Sequence, residues 1–534
     1  MATQIRVDSS NVKYTERYIE AQYSYHTSAV SRDNGTYKVT PRSTHYTFRT
    51  ERKLPKLGVM LVGWGGNNGT TVTAAVLANR LGLSWRTKTG WKKANYFGSL
   101  LQASTVCLGT GPEGDVFVPF HDLLPMVHPN DIVFDGWDIS SLDLARAMER
   151  AQVLDWSLQE QLRPHMAKLK PRPSIYIPEF IAANQGERAD NVLGGSMEEQ
   201  MEQIRKDIRD FRQQSRVDKV IVLWTANTER FCDIVPGVND TAQNLLKTIQ
   251  FAHEAAVMSL SLAAGSHDSS PSDVGSPQLL LGAVLMAPRW WQTCRTGFSR
   301  ARSVLQELGE WLQTTVHIGF VHLPSNSGVH VLWPGFFGGG EFTSEGVEKR
   351  EISGSKGGRS DKSLDVPPQV VIKYVPYVGD SKRAMDEYTS EIMLGGTNTI
   401  VIHNTCEDSL LASPIILDLV ILTELCQRIT FRTEDSPDFQ TFHSVLSVLS
   451  YLCKAPLVPQ GAPVVNALFR QRACIENIMR ACLGLPPQNH MQLEHKTRSG
   501  CLPQECNSIT VPTAAIKKPV ALDNGYHAPL LQNG

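Results

Sequence analysis

The turn Gly379-Asp380-Ser381-Lys382 follows an apolar run and sets a carboxylate two residues from an ammonium. A lysine fixed in this way can stabilise a developing alkoxide or enolate, or move a proton if its pKa is depressed. The plainer alternative is a surface ion pair. Glu407-Asp408-Ser409 follows a second apolar run, and its carboxylates either cap a helix or orient a ligand. Lys454, after an apolar helical stretch, either joins the same chemistry or carries its charge out to water. Thr225-Ala226-Asn227-Thr228 ends another apolar run, where small polar residues form either a cofactor rim or a helix cap. Asp138 closes Ile132-Val133-Phe134-Asp135-Gly136-Trp137-Asp138 and either holds a ribose or caps the helix expected near Ser140. Gln185 and Arg188 lie in a polar loop, where an arginine is either solvated or a ligand contact.

These candidates need a scaffold, and one stretch supplies its anchor. Val59-Met60-Leu61-Val62 reads as a buried parallel strand, and Thr70 to Arg80 as a helix. Between them lies Gly63-x-Gly65-Gly66-x-x-Gly69, a dinucleotide fingerprint lengthened by one residue. Strand, glycine turn and helix bring backbone N–H groups and a helix N-terminus to a pyrophosphate. The competing reading is a plain glycine-rich turn. Asp138 lies far beyond the usual spacing of about 20 residues for a ribose-binding acid.

The rest of the chain alternates in the same manner. Strands are expected at Ile132–Ser140, Ile175–Ile177, Val217–Glu229 and Thr399–Asn404, and helices at Ser141–Val153, Met197–Gln214 and Ala412–Ile429. A helix is also expected to start at Arg383, with helical pieces at Phe442–Leu452, Pro463–Leu468 and Cys474–Leu483. Residues 1–55 read as an N-terminal segment packing on the core, and 56–250 as a Rossmann-like NAD-binding domain. Residues 251–369 read as a divergent, poorly ordered segment; 370–485 complete the catalytic and core domain, and 486–534 form a disordered tail. The fold class is α/β, a Rossmann-like domain plus an α+β catalytic and tetramerisation domain partly replaced by unrecognisable sequence.

Composition narrows the field. A length of 534 residues allows two or three domains, and a net charge of −1 gives no pull toward nucleic acid or anionic membrane. Ten cysteines lack metal-ligand or disulfide spacing, so no metal site is expected. No apolar run approaches the roughly 18–20 residues of a membrane span, and no leader is expected, which suits a cytoplasmic protein.

Taken together, the motifs converge on one family. Leu61-Val62-Gly63-Trp64-Gly65-Gly66-Asn67-Asn68-Gly69, Gly136-Trp137-Asp138-Ile139-Ser140 and Trp224-Thr225-Ala226-Asn227-Thr228-Glu229-Arg230 recur there in this order. So do Val375–Tyr388, His403-Asn404-Thr405-Cys406-Glu407-Asp408-Ser409, Lys454-Ala455-Pro456 and Gly484-Leu485-Pro486-Pro487-Gln488-Asn489. The chain resembles the inositol-3-phosphate synthases, also called myo-inositol-1-phosphate synthases, of the vertebrate type.

The resemblance implies a cytosolic homotetramer that converts D-glucose 6-phosphate to 1D-myo-inositol 3-phosphate. NAD oxidises C5, the C6 enolate attacks the C1 aldehyde, and NADH then reduces C5. It implies catalytic roles for Lys382, Lys454, Asp380 and Asp408. It also implies NAD contacts at Gly66, Asn67, Asn68, Gly69, Asp138, Gln185, Arg188, Thr225, Ala226, Asn227, Thr228, Gly379, Asp380, Asp408 and Ser409. The family's Gly-Asp-Asp-x-Lys, Asn-Asn-Asp-Gly and Ser-Lys-Glu-Ile-Ser-Lys segments have no counterpart in 251–369, where Arg350-Glu351-Ile352-Ser353 is at most an echo. The alternative is therefore a catalytically impaired variant that retains at most NAD binding or subunit association.

Overall fold

The structure, a computed structural model, describes residues 5–112, 114–178, 185–226, 380–391, 394, 396–442, 468–491 and 493. The segment 251–369, nearly all of the helical pieces read between 442 and 468, and nearly all of the tail lie outside the described residues. The chain divides into two units, Met1–Leu108 with Phe117–Gln488, and Gly109–Val116 with Asn489–Gly534. Within the second, the Thr110 hydroxyl donates to Asp115 at 2.9 Å.

In chain order the elements begin with strands β1 (Val12–Tyr14), β2 (Tyr18–Asp33) and β3 (Thr36–Glu51). Next come β4 (Leu57–Val62), helix α1 (Asn67–Arg80) and the short strands β5 (Ser84–Thr87) and β6 (Gly90–Lys93). Helix α2 (Leu100–Ala103), strands β7 (Thr105–Gly111), β8 (Gly114–Pro119) and β9 (Val133–Asp138), and helices α3 (Leu144–Ala151) and α4 (Trp156–Met166) follow. Strand β10 (Arg172–Pro173), helix α5 (Met197–Ser215) and strand β11 (Lys219–Trp224) end the first described stretch. Beyond it lie β12 (Ser381–Glu391), β13 (Thr397–Glu407), α6 (Asp408–Arg428), β14 (Ile429–Thr433), β15 (Gln440–Thr441) and α7 (Leu468–Ala481).

Strands β10, β9, β4 and β11, in that order, make a parallel sheet. Every residue of β4 is buried, because the pleat sends alternate side chains to two covered faces. Leu57, Val59 and Leu61 join the core that includes α1 and α6 residues, while Met60 and Val62 pack with Ile204, Ile208 and Phe211 of α5. Helix α5 begins with a reciprocal cap: Ser196 Oγ accepts from Glu199 N at 3.3 Å, and Glu199 Oε2 accepts from Ser196 N at 2.8 Å. The second sheet, β1-β2-β3-β14-β15, is antiparallel and ties the N-terminal strands to β14, directly after α6.

Two expectations need correction. Residues from Arg383 form strand rather than helix, because all of β12 pairs antiparallel with β13; that pairing overrides the helix propensity of Arg383-Ala384-Met385-Asp386-Glu387. Ile175–Ile177 is not a strand: pairing with β9 ends at Pro173, and Ser174 makes an isolated bridge to Val192. Helix α6 is long and apolar enough to cross a membrane by length and composition, with a mean hydropathy of 1.9. Asp418 and Glu424 interrupt its apolar run. It is the core helix of this fold, and 78 % of that stretch is buried.

Candidate functional site

The sheet order places β9 and β10 on one side of β4 and β11 on the other, so the chain reverses direction at β4. Ligands in open parallel sheets bind outside the strand ends at that reversal. The glycine turn lies there, between β4 and α1. Helix α1 starts at Asn67, three residues before the sequence reading, with Gly66 as a cap that offers no side-chain acceptor and with no acid in the first turn. The positive dipole end of α1, with no carboxylate in its first turn, favours an anion here.

The glycines are required by contact as well as conformation. Gly63 has φ +87°, and a Cβ there would meet Ala226 Cα at 2.7 Å. A Cβ on Gly69 would meet the Trp64 carbonyl oxygen at 2.4 Å. Thr225, 3 % exposed, closes the neighbouring strand end by donating to the Val62 carbonyl from N at 2.9 Å and from Oγ1 at 3.0 Å. Thr225 and Ala226 therefore fix the seam between β4 and β11.

Asp138 ends β9, next to the fingerprint strand, and is 3 % exposed. It does not cap the following helix; Asp143 does, accepting from Arg146 N at 3.0 Å. Asp138 Oδ1 accepts from Ser140 N at 3.0 Å and from Arg188 Nη2 at 2.9 Å. No hydrogen bond reaches Oδ2 among the described residues, and it lies 3.2 Å from where a Cβ on Gly65 would stand. Both oxygens lie against the turn, 3.2 and 3.3 Å from that point, and with Oδ1 taking the two protein donors, Oδ2 keeps the acceptor capacity a ribose hydroxyl requires. The site thus fits NAD: bare backbone for the pyrophosphate, and a placed carboxylate at the adjacent strand end.

Arg188 is an ion-pair partner of this carboxylate rather than a solvated loop residue. Gln185 sits one turn earlier, its carbonyl accepting from Arg188 N at 3.1 Å. Arg150, which no motif singles out, donates from Nη2 to the Gly65 carbonyl at 2.5 Å. Burial first, and then the like charge of Arg188, press its pKa down, while Asp138 pulls it up. The only sequence signal was a cation in the last turn of α3, which a helix dipole explains equally well.

A second cluster forms where β12 and β13 meet α6. Asp380 Oδ1 accepts the Ser409 hydroxyl at 2.8 Å, Oδ2 accepts Ser409 N at 3.1 Å, and the Asp380 carbonyl accepts Asp408 N at 3.0 Å. Asp380 thus caps α6 across the hairpin, with Asp408 and Ser409 buried in its first turn. Lys382 lies on β12, register-paired with Cys406. Asp380, Lys382, Asp408 and Ser409 therefore share one end of the β12–β13 hairpin, and α6 packs against α1. Asn227, Thr228, Gly379 and Lys454 lie outside the described residues.

A family model described as NAD_binding_5: Myo-inositol-1-phosphate synthase matches residues 57–480. Inositol-3-phosphate synthase 1-A of Xenopus laevis is 59% identical over 549 residues, covering 100% of this chain and 96% of that protein. Inositol-3-phosphate synthase 1 of Homo sapiens is 59% identical over 513 residues, covering 93% of this chain and 90% of that protein. The crystal structure of inositol-3-phosphate synthase from Caenorhabditis elegans has a TM-score of 0.75 and 36% sequence identity, covering 93% of this chain and 99% of that one.

Proposed function

This chain belongs to the myo-inositol-1-phosphate synthase family, and we propose that it converts D-glucose 6-phosphate to 1D-myo-inositol 3-phosphate in an NAD-dependent cyclisation. The observation that carries this reading is a family match over residues 57–480 whose opening strand, glycine turn and Asp138 form a dinucleotide cradle. When bound, NAD supplies reversible oxidation at C5 of the sugar, leaving no net redox change.

The protein's own residues then divide the work. Asn67, Asn68 and Gly69 present backbone donors at the head of α1, and Asp138 Oδ2 takes a ribose hydroxyl. Arg188 holds that carboxylate in place. The ketone formed at C5 acidifies C6, so the sugar passes through an enolate and then an alkoxide. Lys382 and Lys454 are assigned to stabilising those oxyanions or moving their protons. Asp380, fixed by both donors of Ser409, and Asp408 orient the lysine and nicotinamide. Gln185, Thr225, Ala226, Asn227, Thr228 and Gly379 complete the cofactor contacts.

By the same reading the enzyme works in the cytoplasm as a homotetramer, at the committed step of inositol and hence phospholipid biosynthesis. It needs no nucleic acid or membrane partner, which its net charge of −1 and the burial of α6 support. The impaired-variant reading rests on the missing lysine segment in 251–369; matches covering 93% to 100% of the chain favour the active one. Incubation with glucose 6-phosphate and NAD tests both. Inositol phosphate without accumulating NADH is expected; NADH accumulation would indicate an ordinary dehydrogenase, and NAD binding without product the impaired variant.

A further inference from the structure

We infer that Arg150 is a positioning residue for the dinucleotide, holding the glycine turn in its binding conformation through the Gly65 carbonyl. The inference rests on the NAD reading above and assigns the turn a support of its own. Arg150 reaches across 85 positions of sequence to donate from Nη2 to Gly65 O at 2.5 Å. On the other side of the same peptide, Gly66 N donates to Gly63 O at 2.9 Å. The Gly65–Gly66 peptide plane is thus pinned at both ends. The next carbonyl, Gly66 O, is in turn taken by Thr70 through N at 2.9 Å and Oγ1 at 2.8 Å.

Such pinning answers a specific weakness of the site. Gly63, Gly65, Gly66 and Gly69 carry no side chains to anchor the loop, and glycine has the most backbone freedom to lose on ordering. A turn ordered before the ligand arrives spares that loss at binding. Arginine suits the task because its donors form a rigid planar fork, whereas lysine offers a point charge on a flexible stem. Arg150 also completes a charge set with Arg188 and Asp138 around the turn. Its proximity to a pyrophosphate adds attraction by charge alone, so the test must separate positioning from charge.

The experiment is calorimetric titration of the full chain with NAD, using wild type, R150M, R150K and R146M. Arg146, on the same helix, pairs with the Asp143 cap at 3.8 Å and with no other acid among the described residues, so it serves as control. R150M is expected to raise the NAD Kd about tenfold, R150K by roughly threefold, and R146M by less than twofold. The R150M effect is expected to persist in about 0.5 M salt, where a pure charge effect would fade. Melting temperatures without NAD are expected to stay within about 2 °C of wild type. Unchanged NAD affinity in R150M, or an effect that vanishes in salt, overturns the inference while leaving the cofactor reading intact. Melting losses as large in R150K as in R150M would make Arg150 a structural residue and overturn it too. A wild-type chain that binds no NAD would overturn both readings.

Discussion

The carboxyl carbon of Asp138 lies 3.0 Å from the position a Cβ on Gly65 would take, although the residues are 73 positions apart. Asp138 and the glycine turn are therefore one packed unit, and perturbing either perturbs both. G65A is predicted to displace the carboxylate by a few tenths of an ångström and raise the NAD Kd about tenfold, with little change in melting temperature. G69A meets backbone rather than a side chain, with the Trp64 carbonyl oxygen at 2.4 Å. It is predicted to lose more than about 2 kcal/mol of stability. Equal effects of the two variants on melting would contradict this division.

Much of this arrangement is legible in the sequence, for physical reasons. The glycines are dictated by close backbone approach, and β4 by an apolar run that only a strand covered on both faces needs. The pairing of Asp138 with Arg188 is not legible, because it is set by how a loop folds over the sheet edge. The role of Arg150 is not legible, because a cation ending a helix has a sufficient local explanation. At residues 383–391 local propensity favours helix, and only the partner strand β13 decides otherwise. The acidic end of β13 is readable as a helix start, but its cap, Asp380, comes from the turn just before β12.

Glu424 and Arg428 form a pair on α6 that is 0% and 4% exposed, with Arg428 Nε donating to the two carboxylate oxygens at 2.8 and 2.9 Å. Lys219 of β11 adds a contact at 3.2 Å, and Arg428 also donates to the carbonyls of Glu51 and Pro125 at 2.5 and 2.6 Å. E424A removes the anion and strands a buried guanidinium. Denaturant melts are predicted to show a loss of about 3–5 kcal/mol. A loss below about 0.5 kcal/mol would mean the carbonyls alone satisfy Arg428.

Asp418, 2% exposed, accepts from Ser99 Oγ at 2.6 Å, Leu100 N at 2.6 Å and Leu101 N at 3.2 Å. Burial pushes its carboxyl up to about 6, against an ordinary 3.8, while the three donors pull it down. The folded state therefore holds the proton more tightly than the unfolded chain between those values. As pH rises from about 4 to about 6, this group removes stability, by up to about 3 kcal/mol. Unfolding free energies across that window are predicted to fall less steeply in D418N than in wild type. Parallel curves would show that the donors hold Asp418 ionised.

Asp380 caps α6 through both oxygens, so D380A should cost about 1 kcal/mol of stability from the cap alone. If it also orients the reacting groups, turnover at saturating NAD and substrate is predicted to fall at least a hundredfold. That is more than the cap loss can explain, because the protein remains folded. Turnover within about twofold of wild type would confine Asp380 to capping.

The central claim is an internal oxidation and reduction that returns the sugar, cyclised, to its starting oxidation state. It is tested most directly with glucose 6-phosphate deuterated at C5, supplied with unlabelled NAD and followed by NMR. The account predicts inositol phosphate that keeps the deuterium at the former C5, because the bound cofactor returns what it removed. Absence of inositol phosphate from a chain that binds NAD would contradict it, as would product that has lost the label.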